Sequence, residues 1–277
     1  MILDTFLLGQ AVVAAMLRCM IPPMRISFDL DGVLADMDTA LATIAEQEFG
    51  ISGPAAPGSR SPEPVQGAVN GASPTAPDAF PTAAVLSQLT ARQQTTLWNR
   101  VGETLNFWET LNELEPGSVR RLQRLAHDLA WEVLFVTKRP PTAGRTAQVQ
   151  SQRWLTSYGF EFPAVYTTRG SRGRVAAALT LDAHVDDRLD NALDIATESR
   201  AWSILVWRDE ESFNRIQSNG KRMNIAVVRS VAEAFDRLEQ ADRGVRAGDG
   251  GRAGSDDNPA ESVAIVDRLK RAFGFGR

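Results

Sequence analysis

The chain has 277 residues, 43% of them hydrophobic, enough to bury one sizeable core and a small accessory element. Its net charge of -4 and pI near 5.4 exclude a global basic field of the kind that grips extended nucleic acid, so an anionic ligand needs a local positive site. A single cysteine, Cys19, excludes an intramolecular disulfide framework, and two histidines, His127 and His184, exclude a His-rich metal centre; any metal would rest on oxygen ligands, which suits Mg²⁺ or another hard cation.

Residues 1–23 are apolar, but carry Asp4 instead of a basic start, are broken by Gln10 and Arg18, and offer no clean cleavage site before Pro22-Pro23. They read as an N-terminal extension, with Met24 as an alternative start, and not as a signal peptide or membrane span; no membrane contact and a cytoplasmic location are expected. Arg25–Leu30 predicts a short buried strand that stops at the turn dipeptide Asp31-Gly32. A helix follows over Met37–Phe49, with Leu41, Ile44, Ala45 and Phe49 at helical spacing. From 51 to 81 the chain is rich in Pro, Ala, Gly and Ser and poor in large apolar residues, so it predicts a disordered insert. Thr82–Val101 predicts one helix, and Pro116-Gly117 opens another that runs to Leu129.

The second half alternates. Strands are predicted at Trp131–Thr137, Ala164–Thr167, Ala183–Asp186, Ser203–Trp207 and Ile225–Val228, with helices at Ala143–Tyr158, Arg172–Leu179, Leu189–Ser199 and Val231–Gln240. This alternation predicts an α/β, Rossmann-like three-layer parallel sheet, with the ligand at the carboxyl ends of the strands. Residues 24–36 and 115–240 form the expected core, and 37–114 a small helical cap. Residues 241–260 read as a linker and 261–277 as an amphipathic helix (Val263, Val266, Leu269, Phe273), either a loose end or a helix that docks on the chain itself or on a partner.

Aspartates collect at two predicted strand ends: Asp29 and Asp31 at the first, Asp186 and Asp187 at the fourth. A parallel sheet brings all four carboxylates to one edge, where they repel unless a cation sits among them or some are protonated. A divalent metal, Mg²⁺ by hardness, is the simple resolution, with Asp29, Asp31, Asp186 and Asp187 as candidate ligands.

Asp29-Leu-Asp31-Gly-Val-Leu-Ala resembles the first motif, DxDG[VT], of the haloacid dehalogenase (HAD) superfamily, Thr137 its second motif and Asp186-Asp187 its fourth. The third motif is normally a lysine; here Arg169–Val175 holds none, and Arg172 fits the position best, with Arg174 the alternate and Lys138 a further cation beside Thr137. The resemblance spans roughly Arg25 to Leu238. It is nearest to the cytosolic 5′(3′)-deoxyribonucleotidase-like branch through Asn106-Phe-Trp-Glu-Thr-Leu111, Glu115-Pro-Gly117 and His184-Val-Asp-Asp-Arg188, and that branch carries a small helical cap between its first and second motifs. The Pro/Ala-rich insert departs from its pattern.

The resemblance implies a Mg²⁺-dependent phosphomonoester hydrolase for a small phosphorylated substrate, with a nucleotide as the candidate. Asp29 would attack phosphorus to give an aspartyl-phosphate, and Asp31 would act as acid and base. Thr137, Lys138 and Arg172 or Arg174 would bind the phosphoryl group. Phe107 and Trp108 are candidates for stacking a nucleobase, with core burial as the alternative. Rival expectations are a nucleic-acid end phosphatase, which needs a basic groove, and a catalytically weak phosphate-binding or adaptor protein of the same fold.

Overall fold

The computed structural model describes residues 23–51 and 84–246. The N-terminal extension up to residue 22, nearly all of the 51–81 insert, the linker beyond Arg246 and the C-terminal amphipathic helix lie outside the described residues.

Six strands form one all-parallel sheet: β1 (Arg25–Phe28), β2 (Glu132–Thr137), β3 (Ala164–Thr167), β4 (Ala183–Asp186), β5 (Trp202–Val206) and β6 (Ile225–Val228). Their order is β3-β2-β1-β4-β5-β6, with Phe28 opposite Phe135 on one side and Val185 on the other. The chain first builds outward from β1 to β3, then returns to place β4 on the other side of β1. Neighbouring connections diverge at that reversal, which opens a crevice at the carboxyl ends of β1 and β4. The central strands are covered on both faces, which explains why they are short continuous apolar runs.

Helices α1 (Met37–Phe49), α2 (Ala91–Glu103), α3 (Ser118–Leu129), α4 (Ala147–Ser157), α5 (Arg172–Ala178), α6 (Leu189–Glu198), α7 (Glu210–Arg222) and α8 (Val231–Arg246) complete the described residues, with short 3₁₀ turns at Ala84–Gln88 and Phe107–Glu109. Alternate strand residues divide between two layers. Ile26, Phe28, Phe135, Val185 and Ile204 pack with Val119 and Leu122 of α3, Trp154 of α4 and Phe235 of α8. Leu205, Ile225 and Val227 pack with Leu193 of α6 and Phe213 and Ile216 of α7, while Ala176 of α5 meets Ile195 of α6. The fold is the three-layer Rossmann-like α/β arrangement expected.

Several bounds shift, the helix expected from Ala143 starting at Ala147, and three differences are structural. The helix expected over Thr82–Val101 is broken at Thr90, where a capping box with Gln93 starts α2 afresh. No helix is expected between the last two strands, yet α7 fills that interval, as a right-handed crossover between parallel neighbours requires. Only Phe213, Ile216 and Gly220 of α7 are buried, too sparse a stripe to reveal a helix by period, although Asp209 caps it and its acidic start and basic end suit the helix dipole. Finally, α8 runs to Arg246, into the stretch read as linker.

Between β1 and α3 lies a small helical element. Leu41 and Ala45 of α1, Leu97 and Val101 of α2, and Val85, Leu86 and Leu89 join the main core rather than forming their own. The turn after β1 is tightly folded: the Leu30 carbonyl accepts from the backbone N–H groups of Leu34 at 2.8 Å and Ala35 at 2.7 Å. Asp36 N–H donates to Asn112 O and Leu114 N–H to Leu34 O, which ties this turn to the segment returning from the helical element. The turn that carries Asp29 and Asp31 is therefore fixed from two directions.

Candidate active site

A cavity of about 180 Å³ opens at the carboxyl edge of the sheet, lined by Asp29, Asp31, Thr137, Lys138, Arg172 and Asp187 among others, with exposed Asp38 and Asp190 at its margin. Asp29 follows β1 directly, and its N–H extends the sheet by donating to Val185 O at 2.9 Å. Asp186 closes β4 and Asp187 begins the loop into α6. Asp29, Asp186 and Asp187 each present a carboxylate oxygen, and the three atoms lie within 4.8 Å of one another. Such a group can hold a metal ion, and oxygen-only ligands suit a hard divalent cation.

Asp31 does not belong to that group. Its carboxylate is taken by Arg139, whose Nη2 donates to Oδ1 at 2.7 Å and whose Nε approaches both oxygens at 3.0–3.1 Å. Asp31, the fourth ligand expected, thus stands outside the group of three and is paired with a buried guanidinium. Thr137, at the end of β2, points its hydroxyl into the same pocket, 3.5 Å from Asp31 Oδ2.

The three clustered carboxylates are not equally satisfied. Burial pushes Asp186 upward, but His184, Arg172 and the Arg188 N–H outweigh it, so its carboxyl lies below the usual range. The contacts are specific: His184 Nε2 lies 3.0 Å from Oδ2, Arg188 N–H donates to Oδ1 at 2.9 Å, and Asn191 Nδ2 is 3.0 Å from both oxygens. His184 is held in turn by Ser27 Oγ, 2.6 Å from Nδ1. Asp29 is pushed up to about 7, chiefly by burial; Arg172 opposes this, while Asp186 and Asp31 add to it. Burial, then Asp186 and Asp29, push Asp187 well above the ordinary range. Two carboxyls are therefore held in a place that favours their charge only if a cation arrives.

Among the described residues, Arg172 is the one buried guanidinium beside this group. It opens α5, 4% exposed, with Nη2 3.4 Å from Asp29 Oδ2 and Nε 3.8 Å from Asp186 Oδ2. Gly173 permits this placement: a Cβ there would lie 2.1 Å from Asp194 O, so α5 seats against the α6 backbone. Arg172 Nε is buried without a hydrogen-bond partner. A buried donor without a hydrogen bond is costly, and Asp186 Oδ2, 3.8 Å away, is too far to supply one.

Gly32 is required twice. Its φ is +77°, in the left-handed region, and a Cβ there would sit 2.0 Å from Asp187 Oδ2. Asp187 reaches the cluster only because the turn between Asp31 and Val33 carries no side chain.

Several expected residues are elsewhere. Arg174 is exposed and pairs with Glu198 at 3.6 Å, away from the cavity. Residues two apart on a helix diverge by about 200°, so α5 can present Arg172 or Arg174 to the site, not both. Phe107 and Trp108 are 3% and 0% exposed and contact each other edge to face, so neither offers a free surface to a base. Lys138 does line the cavity. The sequence reading gives neither His184 nor Arg139 a role at the site, although His184 sits two residues before Asp186 on one strand, a spacing that puts both on one face.

No protein-family model matches the chain, and no curated protein matches it. Among the described residues, no helix is long and apolar enough to cross a membrane.

Proposed function

We propose that the chain is a phosphomonoester hydrolase of the haloacid dehalogenase type, using Asp29 as nucleophile and a divalent cation, Mg²⁺ by ligand chemistry, held by Asp29, Asp186 and Asp187. The observation that carries this reading is the meeting of three carboxylates with a buried, incompletely hydrogen-bonded Arg172 at one cavity. Carboxylates alone describe a cation site; the open guanidinium beside them asks for an anion as well. A phosphoryl group bound to a divalent cation satisfies both.

In this reading Asp29, Asp186 and Asp187 would hold the cation, which when bound would supply positive charge against the phosphoryl oxygens and favour ionised Asp29. Asp29 attacks phosphorus, the P–O bond to the leaving group breaks, and the phosphoryl group rests on its carboxylate. Arg172, Thr137 and Lys138 hold the phosphoryl oxygens, and Asp31 transfers the protons. Arginine in place of lysine at the third motif is accommodated by the 3.4 Å spacing to Asp29 and by Gly173, which lets the bulkier head group lie between two carboxylates.

Nucleotide preference loses its aromatic support, since Phe107 and Trp108 are in the core. The proposed substrate class is therefore a small phosphomonoester without a required base. A cytoplasmic setting is proposed from the single cysteine alone. Phosphate release from a panel of phosphomonoesters, nucleotides and sugar phosphates included, tests the reading with Mg²⁺, with chelator and with Asp29→Asn. Mg²⁺-dependent release that disappears in D29N is expected; release insensitive to both chelator and D29N contradicts it.

A further inference from the structure

Arg139 is a charged residue with no exposed side-chain surface, outside the cavity wall and away from the three-carboxylate cluster. Burying a guanidinium costs several kcal/mol unless its donors are used, and here all three of its nitrogens are. Nε and Nη2 fork onto the two oxygens of Asp31, and Nη1 donates to Ser151 Oγ at 3.0 Å. Ser151 Oγ donates in turn to Ala147 O at 2.7 Å, which fixes the acceptor within α4.

The faces of the guanidinium are also held. Its carbon lies 4.9 Å from the Trp108 ring centre and 5.8 Å from that of Trp154. Trp108 Nε1 donates to Pro140 O at 2.9 Å, and its backbone N–H to Gln150 Oε1 at 3.0 Å. Trp154 Nε1 donates to Leu111 O at 2.7 Å. The aromatic pair is thus pinned at its edges and gives its flat faces to a cation. Trp108, which the sequence offers as a platform for a base, has its flat side occupied.

A carboxylate has about four lone-pair sites, and the fork engages both oxygens of Asp31, which also lines the cavity. The fork therefore restricts the carboxylate to one orientation at the cavity wall.

We infer that Arg139, in its Trp108–Trp154–Ser151 cradle, is a positioning residue that holds Asp31 in register for the water-consuming half of the reaction. This deepens the phosphohydrolase reading and rests on it. In that half-reaction a water oxygen bonds to phosphorus and the bond from phosphorus to the Asp29 oxygen breaks. The electron pair returns to Asp29, the water proton passes to Asp31, and inorganic phosphate leaves. The first half-reaction depends less on Asp31 when the leaving group departs without a proton.

The test is Arg139→Lys, which keeps the charge and loses the fork, measured with p-nitrophenyl phosphate and Mg²⁺. Its leaving group needs no proton, so kcat/KM reports attack by Asp29 and kcat reports hydrolysis of the phosphorylated aspartate. In R139K, kcat is expected to fall about 10- to 100-fold, KM to fall with it, and kcat/KM to stay within about threefold. A burst of nitrophenolate near one equivalent of protein is expected before the slow phase. Ser151→Ala removes one arm of the cradle and is expected to give the same split at about threefold, which decides the matter if R139K does not fold. An Mg²⁺-induced rise in Tm that persists in both variants shows the carboxylate cluster intact. A parallel loss of kcat and kcat/KM, or no loss, in an active enzyme overturns the positioning role alone. A wild type with no turnover overturns the phosphohydrolase reading, and this inference with it.

Discussion

Asp29 and Asp31 stand two residues apart on one turn and live in opposite electrostatic settings. Asp31 has a guanidinium across both its oxygens, buried and braced by two indoles. Asp29 shares one 3.4 Å contact with Arg172 and faces Asp186 and Asp187, so burial pushes its carboxyl up to about 7. One carboxylate arrives with its countercharge built in; the other waits for one. In the proposed reaction the two have separate roles: the fork fixes the orientation of Asp31 for proton transfer, while Asp29, only partly offset by Arg172, is the one that takes a metal and attacks.

The comparison breaks most severely at Arg172. Arg172→Ala removes a buried guanidinium beside the cluster and its unbonded donor at Nε, and turnover should fall about 10²–10³-fold. Inhibition by orthovanadate should weaken in parallel; vanadate binding and turnover at wild-type levels would show that the phosphoryl group lies elsewhere. Gly32→Ala attacks the same side of the comparison through the backbone. A Cβ 2.0 Å from Asp187 Oδ2, at φ +77°, must displace the carboxylate, and a shift near 1 Å should cost about 10²-fold. Calorimetric titration should show weakened Mg²⁺ binding in G32A.

The pH dependence is subtler. With Asp29 raised to about 7 and Asp187 raised as well, the metal-free folded protein binds more protons than the unfolded chain between the ordinary value of 3.8 and about 7. Stability from these two groups is therefore lost as pH rises through that window. A cation must displace the same protons, so Mg²⁺ binding strengthens over it. The Mg²⁺-induced rise in Tm is expected to be larger at about pH 8 than at about pH 6. Asp186, shifted downward, contributes in the opposite sense only below 3.8, outside the range compared. Equal Tm shifts at both pH values would mean that the cation does not bind these carboxyls. The smallest effect belongs to Arg174→Ala: exposed and paired with Glu198, it should leave KM and kcat within about twofold.

What the sequence discloses follows from how local each signal is. Strand-end aspartates are legible because an apolar run, an abrupt stop and a parallel sheet together fix their position; Asp29, Asp186 and Asp187 needed nothing more. The choice between Arg172 and Arg174 becomes legible only once the face that α5 buries is known. Arg139 is hidden because Lys138-Arg-Pro-Pro141 reads as a polar stop after β2, and only the fold brings Asp31 to it. Phe107 and Trp108 show the converse ambiguity: an aromatic pair has the same sequence signature whether its faces meet a ligand or a core. Helix α7 escapes detection because an edge helix over β6 buries only three residues in thirteen.

The most direct measurement is rapid acid quench of the protein during turnover of p-nitrophenyl phosphate with Mg²⁺, followed by peptide mass mapping. The account predicts a single phosphoryl group on the peptide that contains Asp29, absent with chelator and absent in D29N. A phosphoryl group on a different residue, or turnover undiminished in D29N, would contradict it.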